Sequence, residues 1–151
     1  MSFNNKKSIA LQFVEEVLNK GNLDEIKNLV SPNVVWHGQY KEVKGLKSFK
    51  RWISLERSIF PDMQFSILDN VTEHDRVAIR WRLQATLKKP GKHKKLQTMG
   101  ISIFQLKGDK IKEAWIAFDA LSLALQIGVV DVVPSKVQKA KKEMIPIEQE
   151  S

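Results

Sequence analysis

The sequence predicts an α+β protein in which helices come first and a sheet of long strands follows. Three segments with helical apolar spacing fall within the first 60 residues, and from residue 63 the apolar residues alternate with a period of two. No alternation of strand, helix and strand appears, so a Rossmann or barrel fold is not expected. We therefore expect helices packed on one face of an antiparallel sheet.

The helical segments are delimited by recognisable start and stop signals. The first ends at Gly21, as a C-cap residue would end it. The second begins at Asn22, has Glu25 in capping-box register and is broken by Ser31-Pro32. The third spans about 46–59 and is closed by Pro61. Its apolar side consists of Leu46, Phe49, Trp52, Ile53, Leu55 and Ile59.

The strands follow from alternation and from turn residues. A short strand is predicted at 34–37, and the clearest alternation lies at 77–86. Residues 88–95 contain Pro90-Gly91 and no apolar residue, which indicates an exposed hairpin loop. The next strand covers about 96–106, with Met99, Ile101 and Ile103 on one face. A tight turn at Gly108-Asp109 leads to a last strand at 111–118.

Composition and charge narrow the class of protein. The 151 residues suit one domain with a tail, 1–130 and 131–151, and Val133, Val137, Ala140 and Met144 give the tail the spacing of a small amphipathic helix. Absence of cysteine excludes disulfides and thiolate metal sites, and no apolar run approaches the length of a membrane span. We expect a cytoplasmic protein.

The net charge of +8 raises the question of anionic partners. Two lysine-rich runs carry most of it, at 41–51 and 88–95. Aromatic residues do not interleave with the second run, so stacking partners for bases are missing and nucleic-acid binding is not favoured. Phosphate-binding loops and a serine nucleophile elbow are also absent from the sequence.

Asp119 is the most informative acidic residue, because it ends an apolar strand and precedes an apolar segment at 120–127. Asp is among the best N-cap residues, so a helix cap is one interpretation. The other is a carboxylate at an apolar pocket, where burial would raise its pKa and suit it to acid/base chemistry. Spacing alone favours the cap, and the two interpretations are compatible.

Other polar residues leave similar alternatives. His37 ends a strand beside Trp36 and is either a half-buried structural histidine or a ligand contact. Gln105 follows an apolar strand face and either contacts a ligand or reaches solvent at the sheet edge. Arg80 on a polar strand face suggests a cross-strand salt bridge. Histidines do not cluster at metal-ligand spacing.

Several short motifs, in one order over residues 7–130, resemble the SnoaL-like polyketide cyclases and ester cyclases of the nuclear-transport-factor-two-like superfamily. They include Gly21-Asn22-Leu23-Asp24, Val35-Trp36-His37 and Phe60-Pro61-Asp62. The later members of the series are Arg80-Trp81, Gly100 to Phe104, Gly108 to Ile111, Glu113-Ala114-Trp115, Asp119 and Leu125 to Gly128.

The resemblance implies a cone-shaped fold in which three N-terminal helices pack on a curved antiparallel sheet and enclose a mostly apolar pocket. It also implies a homodimer, commonly formed through the sheet. The residue matching Asp119 serves in the cyclases as the acid/base for an aldol closure, without cofactor or metal. The sequence departs from the family pattern at Leu87 and Ala114, where the family often has histidine.

Three functions follow as hypotheses. The first is a cyclase or isomerase acting on an apolar carbonyl compound, with Asp119 as catalytic acid/base. In it His37 and Gln105 orient the substrate, and the candidate pocket lining is Trp36, Trp81, Met99, Ile101, Ile103 and Trp115. The second is a non-catalytic ligand-binding or interaction module on the same fold. The third is an anion-binding or nucleic-acid-binding protein that uses the lysine clusters.

Overall fold

A computed structural model describes residues 3–129. For residues 3, 4, 89 and 92 it describes the backbone only. The predicted tail at 131–151 lies outside the described residues. Within them, four α-helices accompany one sheet of six strands. The α+β class is confirmed, whereas the arrangement of three N-terminal helices is not.

The N-terminal helical region is less regular than its periodicity suggests. Helix α1 (Phe3–Gln12) continues as a π-helix (Phe13–Asn19), and a 3₁₀ turn (Leu23–Glu25) leads into a single turn, α2 (Ile26–Leu29). Helix α3 (Leu46–Ile59) lies where the sequence predicts it. The fourth helix, α4 (Ala120–Ile127), follows the sheet.

The strands are β1 (Val30–His37), β2 (Glu42–Lys44), β3 (Gln64–Glu73), β4 (Arg76–Lys89), β5 (Lys92–Lys107) and β6 (Lys110–Phe118). Their order in the sheet is β2-β1-β6-β5-β4-β3. Strand β1 pairs with β6 in parallel, so the expectation of a purely antiparallel sheet is corrected. Helix α3 lies between β2 and β3, and the other N-terminal helical segments precede β1.

One face of the sheet carries the core. On β4 the odd-numbered residues Val77, Ile79, Trp81 and Ala85 are buried, as the alternation predicts. On β5 the even-numbered residues Thr98, Ser102 and Phe104 are buried instead. Helix α3 and the π-helix add Phe49, Ile53 and Phe13, and the rings of Phe13, Trp36, Phe49 and Phe104 contact one another.

Gly100 explains how Trp81 fits into this core. The two residues are paired across β4 and β5, and a Cβ at position 100 would collide with the Trp81 ring and lie 2.7 Å from the carbonyl oxygen of Ala117. The missing side chain therefore leaves the space that the indole occupies. The Trp81 Nε1 donates to Ser102 Oγ at 2.9 Å, which satisfies the buried indole.

Candidate functional site

A cavity of about 450 Å³ lies between helix α3 and the inner face of the sheet. Its walls are mainly apolar and include the indoles of Trp36, Trp52 and Trp81. Helix α4 contributes Leu123, and the turn at residues 38–41 forms part of the rim. Since Tyr40 and Ile59 line the cavity and are more than half exposed, the cavity reaches the surface there.

The turn at the rim is fixed by three hydrogen bonds. Gly38 donates its backbone N–H to the carbonyl of Lys41 at 2.9 Å, and a Cβ on Gly38 would crowd the same oxygen at 2.8 Å. The side chain of Gln39 accepts from the Phe118 N–H at 2.8 Å and donates to the Tyr40 hydroxyl at 3.1 Å. This turn is therefore held against the end of β6.

Few polar groups face the cavity. Helix α3 supplies Glu56, and β5 supplies the buried hydroxyls of Thr98 and Ser102. Thr98 donates to the carbonyl of Asp119 at 3.0 Å. The indole N–H of Trp36 is buried and finds no acceptor in the part of the chain described here.

Glu56 is the residue that sequence reasoning missed. It is half-buried, and burial raises the pKa of its carboxyl group from the ordinary 4.5 to about 7. Its side chain forms neither a hydrogen bond nor an ion pair with any other described residue. The sequence does contain a signal for this residue. Phe49, Trp52 and Ile53 form the apolar stripe of the helix, and position 56 places an acid in line with that stripe.

Asp119 occupies the position that the helix-cap interpretation predicts. Its Oδ1 accepts the backbone N–H of Ser122 at 3.0 Å, at the start of α4. The side chain is exposed, beside a shallow surface depression formed with Lys94 and α4, and it does not line the cavity between α3 and the sheet. Its carbonyl oxygen is linked to the cavity wall, because it accepts from the Thr98 hydroxyl at 3.0 Å and from the Leu123 N–H at 3.2 Å.

The other predicted site residues divide between the two faces of the sheet. Trp36 and Trp81 line the cavity. Met99, Ile101 and Ile103 have 40%, 51% and 36% of their surface exposed on the outer face, so the predicted lining is corrected for these three. Apart from Ser102, the stretch 99–104 is apolar on both faces. A prediction from hydrophobicity alone therefore assigned the wrong face of the strand to the core.

His37, Trp115 and Gln105 also lie away from the cavity. His37 stacks on Trp115 with ring centroids 5.4 Å apart, and its Nε2 lies 2.7 Å from Glu113 and its Nδ1 3.1 Å from Glu42. Gln105 donates to Asp75 at 2.9 Å. These contacts account for both polar side chains through neighbouring residues on the sheet.

Two smaller expectations concern charge. The cross-strand salt bridge predicted for Arg80 is confirmed, with Asp69 as partner at 3.0 Å. In the first lysine cluster, Lys44 pairs with Glu42 and Lys50 with Asp24.

Among the described residues, no group of three metal-ligating side chains comes together, and no helix is long and apolar enough to cross a membrane.

Comparison with known protein families gives one match. The sequence model of the SnoaL-like polyketide cyclases matches residues 8–127. No curated protein matches the chain significantly.

Solved structures share the fold. A candidate polyketide cyclase from Acidithiobacillus ferrooxidans is 25% identical, with a TM-score of 0.73 over 83% of this chain and 96% of that one. AclR, a candidate hydroxylase from Streptomyces galilaeus, is 22% identical, with a TM-score of 0.77 over 98% and 96%. IdmH, a candidate polyketide cyclase from Streptomyces antibioticus, is 19% identical, with a TM-score of 0.72 over 82% and 98%. The chain belongs to the SnoaL-like polyketide cyclase family.

Proposed function

We propose that this protein binds an apolar carbonyl-bearing molecule between α3 and the sheet and catalyses proton transfer at the carbon next to the carbonyl. The reaction class is a cyclisation or an isomerisation. The observation that carries the proposal is the cavity of about 450 Å³, apolar and walled by three indoles, with a few polar groups inside it. Concave apolar sites with few convergent polar groups are the usual form of small-molecule sites.

The size and chemistry of the cavity favour a ring compound. Indole faces bind flat apolar rings through large contact areas. The hydroxyl of Ser102 supplies a hydrogen-bond donor suited to a carbonyl oxygen, because that hydroxyl accepts from Trp81 and its own hydrogen has no acceptor among the described residues. A bicyclic or tricyclic ketone combines both features.

The test uses 2-tetralone, a bicyclic ketone with acidic protons beside its carbonyl. The full chain is incubated with it in D₂O, and the loss of the α-proton signals is followed by NMR. We expect exchange faster than in buffer or with an equal concentration of an unrelated basic protein. Binding is measured separately with 2-naphthol, which resembles the enol of this ketone, through quenching of tryptophan fluorescence.

The same pair of measurements separates the second candidate function. A non-catalytic binding module predicts that 2-naphthol binds in the cavity while ketone exchange stays at the buffer rate. That candidate is favoured by the position of Asp119, the acid expected from the family resemblance, because its side chain is exposed and does not line the cavity. Proton exchange above the buffer rate contradicts it.

We also propose that a second copy of the chain covers the outer face of the sheet. Met99, Ile101 and Ile103 form an exposed apolar strip there, directly beside Trp115 on β6. Exposed apolar strips of this kind are typical of interfaces between proteins. The cavity opens on the other face of the sheet, so the proposed dimer leaves its mouth free.

A further inference from the structure

Two charged side chains line the cavity within the described residues, and they have different environments. Lys41 lies in the rim turn and is exposed to solvent, whereas Glu56 lies deeper, on α3. Glu56 stands one helical turn after Trp52, and the Trp52 ring in turn contacts the Trp36 ring at 5.9 Å between centroids. The carboxyl group is therefore part of the indole-lined wall.

The side chain of Glu56 has no structural partner to explain its position. Several other acids of the protein are engaged: Glu16 bonds to Lys20, Asp62 to Thr86 and Asp119 to Ser122. Glu56 has no such partner in the part of the chain described, although its neighbour Arg57 binds the carbonyls of Leu18 and Asn19. A half-buried carboxyl group that faces a cavity and stabilises no contact is a candidate for chemistry.

We infer that Glu56 is the acid/base catalyst of this cavity and that the Ser102 hydroxyl is the donor to the substrate's carbonyl oxygen. This inference rests on the proposed function and names the residues that perform it. The two side chains come from facing walls, Glu56 from α3 and Ser102 from β5. A flat ketone placed between the walls would meet a donor on one side and a carboxyl group on the other.

The proton transfer balances without any further reactant. The Glu56 carboxylate removes a proton from the carbon beside the carbonyl, and the electron pair of that C–H bond forms an enolate. The enolate oxygen accepts a hydrogen bond from Ser102, whose oxygen is itself held by Trp81 Nε1 at 2.9 Å. The protonated Glu56 then returns the proton to a carbon, which completes an exchange or isomerisation. In an aldol closure it delivers the proton to the oxygen of the attacked carbonyl.

The acidity of Glu56 suits both halves of this cycle. Its pKa is raised to about 7 by burial, so the carboxylate and the carboxylic acid coexist near neutral pH. A catalyst whose pKa lies near the working pH is the most effective at transferring a proton in both directions. The Trp36 indole, whose buried N–H lacks an acceptor among the described residues, is a second donor for an oxygen in the cavity.

The experiment compares three single variants with the wild-type chain. Glu56→Gln keeps the shape of the side chain and removes the base. Asp119→Asn tests the acid that the family resemblance favours, and Glu73→Gln is the matched control at a carboxyl group that is 82% exposed on β3. For each protein, the exchange rate of 2-tetralone is measured between pH 5 and 9, together with the affinity for 2-naphthol.

The expected result is an exchange rate for the wild type that rises with pH to a plateau, with a midpoint near 7. Glu56→Gln should lose on the order of 100-fold or more in rate, the usual contribution of a general base, and should lose the midpoint. It should still bind 2-naphthol, since the apolar walls are unchanged. Asp119→Asn and Glu73→Gln should keep both the rate and the midpoint.

Three failing outcomes are distinguishable. If Glu56→Gln retains the wild-type rate while it binds 2-naphthol, the inference is overturned and the proposed function stands. If Asp119→Asn alone loses the rate, the exposed cap residue is the catalyst instead. If the wild type binds 2-naphthol but exchanges no ketone proton, the proposed function and the catalytic role of Glu56 are both overturned.

Discussion

Replacing Glu56 by Gln should make the protein more stable at pH 8 and should leave its stability almost unchanged at pH 4. The carboxylate form of Glu56 is half-buried without a partner, so the folded protein favours the protonated acid. Between the ordinary pKa of 4.5 and the raised value of about 7, the folded state binds more protons than the unfolded state. The free energy of unfolding therefore falls as the pH rises through this interval and is flat above it.

The magnitude follows from the two pKa values. The difference between 4.5 and about 7, at about 1.36 kcal/mol for each pKa unit, gives an upper limit of about 3 kcal/mol. Partial solvent access to the cavity reduces it, so a gain of about 2–3 kcal/mol for Glu56→Gln at pH 8 is expected. For a domain of this size that corresponds to roughly 6–10 °C in Tm.

The assay is urea unfolding followed by tryptophan fluorescence, at pH 4, 5, 6, 7 and 8, for the wild type, Glu56→Gln and the control Glu73→Gln. The difference in unfolding free energy between Glu56→Gln and the wild type should grow from near zero at pH 4 to its full value at pH 8. The control should show no such trend. A difference that is constant across this range would refute the reasoning, because it would mean that Glu56 titrates alike in the folded and unfolded chains.

Three other substitutions test the geometry. Asp119→Ala removes the acceptor for the Ser122 N–H, so urea unfolding should show a loss of about 1 kcal/mol; an unchanged midpoint would contradict the cap. Gly100→Ala sets a Cβ against the Trp81 ring, so we expect the free energy of unfolding to fall by roughly 1–3 kcal/mol and 2-naphthol to bind more weakly. Wild-type values for both quantities would mean that the indole moves aside freely. Ile101→Asp places a charge in the outer apolar strip, so a dimeric wild type should become monomeric in sedimentation, and a wild type that is already monomeric would contradict the proposed interface.

The elements with one strong periodicity were predictable from the sequence. Helix α3 and strand β4 each have one apolar face, Pro61 follows the helix and Pro90-Gly91 follow the strand, so the type and position of both elements follow from the sequence. The pairing of β1 with β6 did not follow, because the two strands are far apart in the chain and parallel pairing leaves no local signature. The short strand β2 is likewise defined by its partner rather than by its own three residues.

The site was predictable only in part, and strand β5 shows why. Its residues 99, 101 and 103 are larger and more apolar than residues 98, 100 and 102, yet the second set faces the core. Trp81 on the paired strand β4 explains which set of β5 residues faces the core. Its ring needs the space at Gly100, and its indole N–H needs Ser102 as hydrogen-bond acceptor. Because successive side chains of a strand point to opposite faces, assigning the wrong face to the core also placed Met99, Ile101 and Ile103 wrongly in the predicted pocket lining.

Asp119 and Glu56 differ in whether the folded structure explains their positions. The Asp119 carboxylate caps α4 and lies in solvent, so its charge is compatible with stability and its position is explained by the helix it begins. The Glu56 carboxylate forms no hydrogen bond or ion pair within the described chain, and its burial lowers the stability of the folded state at neutral and higher pH. A leucine or methionine at the same place on α3 would extend the apolar stripe of Phe49, Trp52 and Ile53 and avoid that loss. The acid at position 56 therefore lacks a structural reason, whereas the proton transfer that we propose for the cavity would supply a functional one.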